Sequence, residues 1–295
     1  MEYKIVVSIA LSVLGLVLGS FAGATTWRLR ARQLREDARH GEKISSTEKR
    51  QVTKLQPKSL TSDRSVCLHC GHELRWYDLI PLVSWLSLGG KCRYCHKPIG
   101  WFEPMIELGL ATFFVISYLF WPSQLLTSVD IIQFVIWLAA GVGVAILFAY
   151  DMKWFLLPNV VVFPLIGLGA LHAAIVLFEG HFGWTVTLSI LSSCAILSGL
   201  YYLIYIFSGR QWVGFGDVKL GLALALLLAD WQLAILALFL ANLIGTIIFL
   251  PFLLTGKLGR QTHIPFGPLL ISGWAIAGLF GTNLLAWYIA FTLSI

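Results

Sequence analysis

Two sets of residues in this chain have types and spacings that could do chemistry. The first is four cysteines in two C-x-x-C pairs, Cys67/Cys70 and Cys92/Cys95, with 21 residues between the pairs. Four thiolates at that spacing suit a tetrahedral zinc ion held on two knuckle turns, a structural site with no open coordination position. Two redox-active pairs are the competing reading, and they would be expected beside a βαβ pattern, which the flanking sequence lacks. His69, His72 and His96 stand close by as reserve ligands or surface residues, and Cys194, alone in an apolar run, reads as a packing residue.

The second set is two carboxylates at the ends of apolar runs. Asp151 closes one run in FAYDMKWFLLPN, and Asp217 opens another in GFGDVKLGLALALLLA. A carboxylate at the mouth of such a run is costly to desolvate, so its position needs a reason. Two acids a few ångströms apart share a proton: the charged one can take a proton from water while the neutral one gives a proton to a carbonyl or leaving amine. The alternative is that each aspartate caps a helix or pairs with Lys153 or Lys219. Gly214 and Gly216, flanking Phe215, leave room for another chain to approach, as a protease acting on a shielded peptide bond requires. Glu107 reads as a structural partner for a nearby cation, and Asp130, Glu179 and Asp230 as solvated loop acids.

The elements that must position these groups are membrane helices. The 295 residues are 58% hydrophobic and 12% charged, and 15 of the 21 lysines and arginines fall between Arg28 and Glu103. The positive charge is therefore concentrated in one polar segment; the positive-inside rule accounts for it, and no nucleic-acid partner is implied. Apolar runs of helix-spanning length lie near 5–26, 104–121, 131–150, 156–178, 184–207, 214–230, 232–254 and 265–290. The expected fold is an all-α polytopic membrane protein of about eight transmembrane helices. A first helix lies in 1–27, a cytoplasmic zinc-binding segment in 28–103, and a seven-helix region in 104–295. The first run is too long for a signal peptide's apolar stretch and carries its positive charges after it, so it reads as a span. Residues 30–65 read as an irregular or partly helical insert, and IPLVSWLSL as a stretch that lies on the membrane or packs on the spans.

Loop charges orient the spans. RLRARQLR, the Lys153 turn, SGRQ and TGKLGRQTH fall on one side; WPSQLLTS, EGHFG and the Asp230 turn, without lysine or arginine, fall on the other. The N-terminus is then outside, residues 28–103 are in the cytoplasm, and Asp151 and Asp217 lie at the same cytoplasmic face at similar depth.

With these motifs in order, the sequence resembles the bacterial type IV prepilin peptidases, the prepilin leader peptidase/N-methyltransferases. GLVLGSFAGATTWRLR, RSVCLHC, DLIPLVSWLSLGGKCRYC, EPMIEL, DMKWFLLPN, GFGDVKL and IPFGPLL all look like blocks of that family. The resemblance implies a GxGD-type membrane aspartyl protease of the bacterial inner membrane, with Asp151 and Asp217 as its catalytic pair. It implies type IV prepilins or pseudopilins as substrates, cut after a glycine to release a basic leader on the cytoplasmic side. Many members also methylate the new N-terminus with S-adenosylmethionine, and Gly90 and Lys91 match positions linked to that activity. The chain departs from the family at Trp101-Phe102-Glu103, where an Arg-Tyr pair usually precedes the proline, and at Leu79, where asparagine is common. No glycine fingerprint for a methyl donor is visible.

Other functions fit parts of the pattern. A peptidase without methyl transfer needs only the aspartates. A proton-coupled transporter would place its acids near mid-bilayer, beside broken helices. A non-catalytic assembly factor would need only the cysteine lobe.

Overall fold

The computed structural model describes residues 2–40, 55, 64–256 and 264–293. Most of the insert expected at 30–65 lies outside these residues. Every apolar run is helical: α1 (Glu2–Arg39), α2 (Phe102–Leu119), α3 (Ser128–Trp154), α4 (Asn159–Glu179), α5 (Trp184–Phe207), α6 (Phe215–Leu228), α7 (Trp231–Leu254) and α8 (Phe266–Leu293). Among the described residues seven of these are long and apolar enough to cross a membrane, and the chain is a multi-pass membrane protein.

The exception is α6. It has 14 residues, about 21 Å at ~1.5 Å per residue, short of a ~30 Å hydrocarbon layer. Its start is set at Gly214, whose extended backbone ends the preceding loop, and its end at Ala229 in the left-handed region. It also differs from the others in its surroundings. Leu220, Ala223, Leu224 and Ala225 are fully buried, and α4, α5, α7 and α8 pack around it. A helix with protein on all sides has no need to match the bilayer's thickness.

The chain forms two compact units, residues 1–116 and 117–295. In the first, α1 continues past its apolar run to Arg39, and Gly15 and Gly19, spaced as small-xxx-small, let its backbone lie against Ala111 and Glu107 of α2. Glu107 is buried, and the partner expected to be a cation is instead the backbone N–H of Leu82, which donates to Glu107 Oε2 at 2.8 Å, with the Ser20 hydroxyl beside it. Leu82 has φ of 56°, a costly value for a leucine, so Glu107 pins a strained turn. That turn leads into the short helix Val83–Ser87 within IPLVSWLSL.

In the second unit the loop acids do more than sit in solvent. Asp130 and Thr127 form a reciprocal cap at the start of α3, Asp230 accepts from the N–H groups of Gln232 and Leu233 at the start of α7, and Glu179 accepts from Gln133. Within α5, residues Ala195–Gly199 form a π turn. There Ser198 Oγ donates to the Val218 carbonyl at 2.9 Å and Ser193 Oγ to the Ala225 carbonyl at 3.0 Å, tying α5 to α6. Gly221 of α6 faces this turn so closely that a Cβ would stand 2.9 Å from the Leu197 carbonyl carbon.

Candidate active site

Asp151 occupies the last turn of α3 and is 5% exposed. Its helix stops at Phe155, which takes the left-handed conformation and returns its N–H to the Asp151 carbonyl at 2.9 Å. Asp217 lies in the first turn of α6, half-buried, and its Oδ2 accepts the Gly214 N–H at 3.2 Å. Asp151 Oδ2 accepts the Gly267 N–H at 3.1 Å. Gly267 is the second residue of α8, so its amide is one of the donors that a helix start leaves without an intrahelical partner.

The two carboxylates thus share a design. Each gives one oxygen to a glycine N–H at a helix N-terminus, α6 for Asp217 and α8 for Asp151, where the helix dipole favours negative charge. The Asp217 carboxylate is also held by its own backbone N–H. The carboxylates are near enough that the charge on Asp151 acts on Asp217. The capping role that the sequence left as an alternative is present at both aspartates.

Lys219 does not pair with either acid. It donates to Asn159 Oδ1 at the start of α4 and lies over the rings of Phe163 and Phe215. Gly214 has an extended backbone, and Gly216 stays outside the left-handed region. The approach that Gly216 permits is made by this chain's own Leu157, whose Cβ would stand 3.1 Å from a side chain there. Tyr201 of α5 is buried against Phe266, the neighbour of Gly267. Gly267 lies in the IPFGPLL block, but its pairing with Asp151 had no local signal in the sequence.

The four cysteine sulfurs Cys67, Cys70, Cys92 and Cys95 lie within 4.8 Å of one another and could hold a metal ion. Two matching turns bring them together. Gly71 N–H returns to the Cys67 carbonyl at 2.8 Å and His96 N–H to the Cys92 carbonyl at 2.9 Å, and isolated bridges Val66–Glu73 and Lys91–Pro98 close the two loops. Gly71 and His96 occupy equivalent places, both at positive φ. None of the three histidines joins the sulfur cluster; His72 stacks on Tyr94. Burial pushes the Cys67 thiol up to about 12, so thiolates packed this way call for a cation. Asp78 braces the lobe: burial alone would raise its carboxyl, but hydrogen bonds from Arg93, the Arg75 backbone and Tyr94 hold it below the ordinary range. Gly90 has φ of 70° and sits against the Trp85 ring, while Lys91 is exposed at the base of the second turn.

Comparison with known proteins accords with this division. Residues 13–121 match the bacterial peptidase A24 N-terminal domain, and residues 138–250 match the type IV leader peptidase family. A prepilin leader peptidase/N-methyltransferase of Pseudomonas aeruginosa is 32% identical over 95% of this chain and 92% of its own length. The chain belongs to the type IV leader peptidase family. A protein of the same name from Aeromonas hydrophila is 32% identical over 79% of this chain and 77% of its own, and one from Burkholderia pseudomallei 29% identical over 92% and 84%. No solved structure matches. The family match to 138–250 contains Asp151 and Asp217 but stops short of Gly267.

Proposed function

We propose that this protein is a membrane aspartic endopeptidase that removes the leader from type IV prepilins and pseudopilins, cutting after a glycine, and then N-methylates the new terminus. The single observation that carries the protease reading is the pairing of Asp151 and Asp217, each held by a glycine N–H at the start of a helix. Like charges this close favour one shared proton. The ionised member takes a proton from water as the water attacks the scissile carbonyl, and the protonated member hydrogen-bonds the carbonyl oxygen. The proton then passes to the leaving amine. Gly267 and Gly214 fix the two carboxylates, so that the water and the carbonyl meet groups already in place. Gly214, with no side chain, leaves the approach to Asp217 open for the substrate backbone.

The loop charges support an N-terminus outside and an active site at the cytoplasmic face of the inner membrane, where a basic leader would remain. Cys67, Cys70, Cys92 and Cys95 suit a structural zinc, which would hold the lobe of residues 64–100 together and leave no position for a reacting water. S-adenosylmethionine, when bound, supplies an electrophilic methyl group; Gly90 and Lys91 shape the second knuckle beside which it would act.

The test is cleavage of a co-expressed prepilin. Asp151→Asn and Asp217→Asn should each abolish it while membrane insertion is unchanged; full processing by both variants would overturn the protease reading. The mass of the mature pilin tests the methyl transfer: a gain of one methyl group is expected, and its absence in processed pilin leaves a peptidase alone.

A further inference from the structure

Lys219 lies two residues after Asp217, yet its ammonium group turns to α4. It donates to Asn159 Oδ1 and lies 5.6 Å from the centre of the Phe163 ring and 5.2 Å from that of Phe215. Asn159 and Phe163 are one turn apart on α4, and Phe215 is one turn before Lys219 on α6, so each pair shares a helix face. The ammonium group is thus seated between one amide oxygen and two ring faces. A cation near a helix N-terminus gains nothing from the helix dipole, so the seat needs another reason.

The neighbouring contacts supply one. Residues 155–158 join the end of α3, which carries Asp151, to the start of α4. At one end of this loop the Phe155 N–H donates to the Asp151 carbonyl at 2.9 Å. Leu157 packs on Gly216, where a Cβ would stand 3.1 Å from its own. Asn159, at the other end, takes Lys219. On α6 the last two contacts bracket Asp217, one residue before it and two after. Farther along α6, a Cβ on Gly169 of α4 would stand 2.9 Å from the Ala223 carbonyl oxygen, and His172 Nδ1 lies 3.3 Å from that of Leu226. On the α5 side Ser198 holds the Val218 carbonyl. A helix gripped by α4 at its middle and far end can still tilt against α3 at its start, and the start is where Asp217 stands.

We propose that Lys219 is a positioning residue for cleavage: by binding Asn159 it fastens the start of α6 to the loop that leaves Asp151, and so fixes Asp217 relative to Asp151. The inference rests on the protease reading above. The hydrogen bond of Lys219 is to Asn159 and not to a carboxylate, so its loss displaces a catalytic group without removing one. Misplacement slows the chemical step more than it weakens substrate binding.

The test is steady-state cleavage of a prepilin peptide by the purified, full-length protein in detergent. Lys219→Met keeps the stem and removes the donor; Asn159→Leu keeps the volume and removes the acceptor. Each should lower kcat roughly tenfold or more with KM little changed. The double variant should be no slower than the slower single one, because both lose the same bond. Asn159→Asp gives the ammonium group an acceptor again and should keep the parent's kcat. Asn159→Leu carries the comparison if Lys219→Met does not fold. A lowered melting temperature with kcat unchanged in the single variants would make the bond a structural tie and overturn the proposal, as would losses in kcat that multiply in the double variant. If Asp151→Asn and Asp217→Asn abolish cleavage while Lys219→Met cleaves as the parent does, this proposal alone falls. If cleavage survives in both aspartate variants, the protease reading falls and this proposal with it.

Discussion

Gly267 donates its backbone N–H to Asp151 Oδ2 at 3.1 Å, across 116 residues of sequence, and has no side chain to place there. A Cβ at that position would stand 2.8 Å from the same oxygen and 3.3 Å from the carboxyl carbon. The amide that holds the carboxylate can do so only while the residue is glycine.

Gly267→Ala should therefore damage catalysis more than folding. The methyl group would push the Asp151 carboxylate out of its place, and a displacement of about 1 Å in a catalytic group can cost about a hundredfold. Steady-state cleavage of a prepilin peptide should show kcat falling by roughly ten- to a hundredfold with KM little changed. Unaltered kcat would mean that Gly267 does not position Asp151.

The packing of α6 gives a second expectation. Gly221 faces the carbonyl of Leu197 in the π turn, and the Ser198–Val218 hydrogen bond keeps that turn from backing away. Gly221→Ala should destabilise the fold by about 1–3 kcal/mol through overpacking. Gly167, also helical, has open space around its Cβ direction, so Gly167→Ala should be neutral or stabilise by up to about 1 kcal/mol. Thermal unfolding in detergent separates the two; equal effects would show that the close approach at Gly221 is relieved cheaply.

These two glycines also mark what the sequence could and could not say. The eight apolar runs, the cysteine spacing and the placement of Asp151 and Asp217 at run ends were legible because each is a local pattern. Hydrophobic length marks a span, and thiol spacing marks a knuckle. The Gly267–Asp151 bond was not legible, because nothing within reach of a periodicity links residues so far apart. The shortness of α6 was hidden for a related reason: a helix surrounded by protein carries the same apolar residues as one facing lipid. Glu107 suggests a partner for a cation because charge is visible in sequence, whereas a donor such as the N–H of Leu82, which it meets, is present at almost every position. Asp130 and Asp230 look like loop acids in sequence, although Thr127 three residues before Asp130 is a readable capping signal.

The cysteine cluster predicts a metal stoichiometry. Purified protein should carry one zinc per chain, and Cys67→Ser or Cys92→Ser, each removing a buried ligand, should lower it to near zero. Cys194→Ser should leave it unchanged, because Cys194 lies apart from the cluster. Elemental analysis against protein concentration decides this, and full zinc retention in the two ligand variants would exclude the four-sulfur site.

The Asp78–Arg93 pair makes the last prediction, through its pH dependence. Arg93 Nε and Asp78 Oδ1 are 2.7 Å apart, and the Tyr94 hydroxyl donates to Asp78 Oδ2 at 3.0 Å. Because the folded carboxyl titrates below its unfolded value of ~3.9, the folded state binds fewer protons there, and the link stabilises the lobe above that value. The contribution is present in full at neutral pH and is lost as pH falls through the folded pKa. Asp78→Asn should lower the melting temperature by an amount that stays constant from pH 8 to about pH 5 and shrinks below about pH 4. The parent and variant curves should therefore converge only in acid. Because zinc–thiolate ligation weakens in both proteins as pH falls, the informative quantity is the difference between them at each pH. A difference that instead disappeared between pH 8 and pH 6 would show that the coupling does not come from the Asp78 carboxylate.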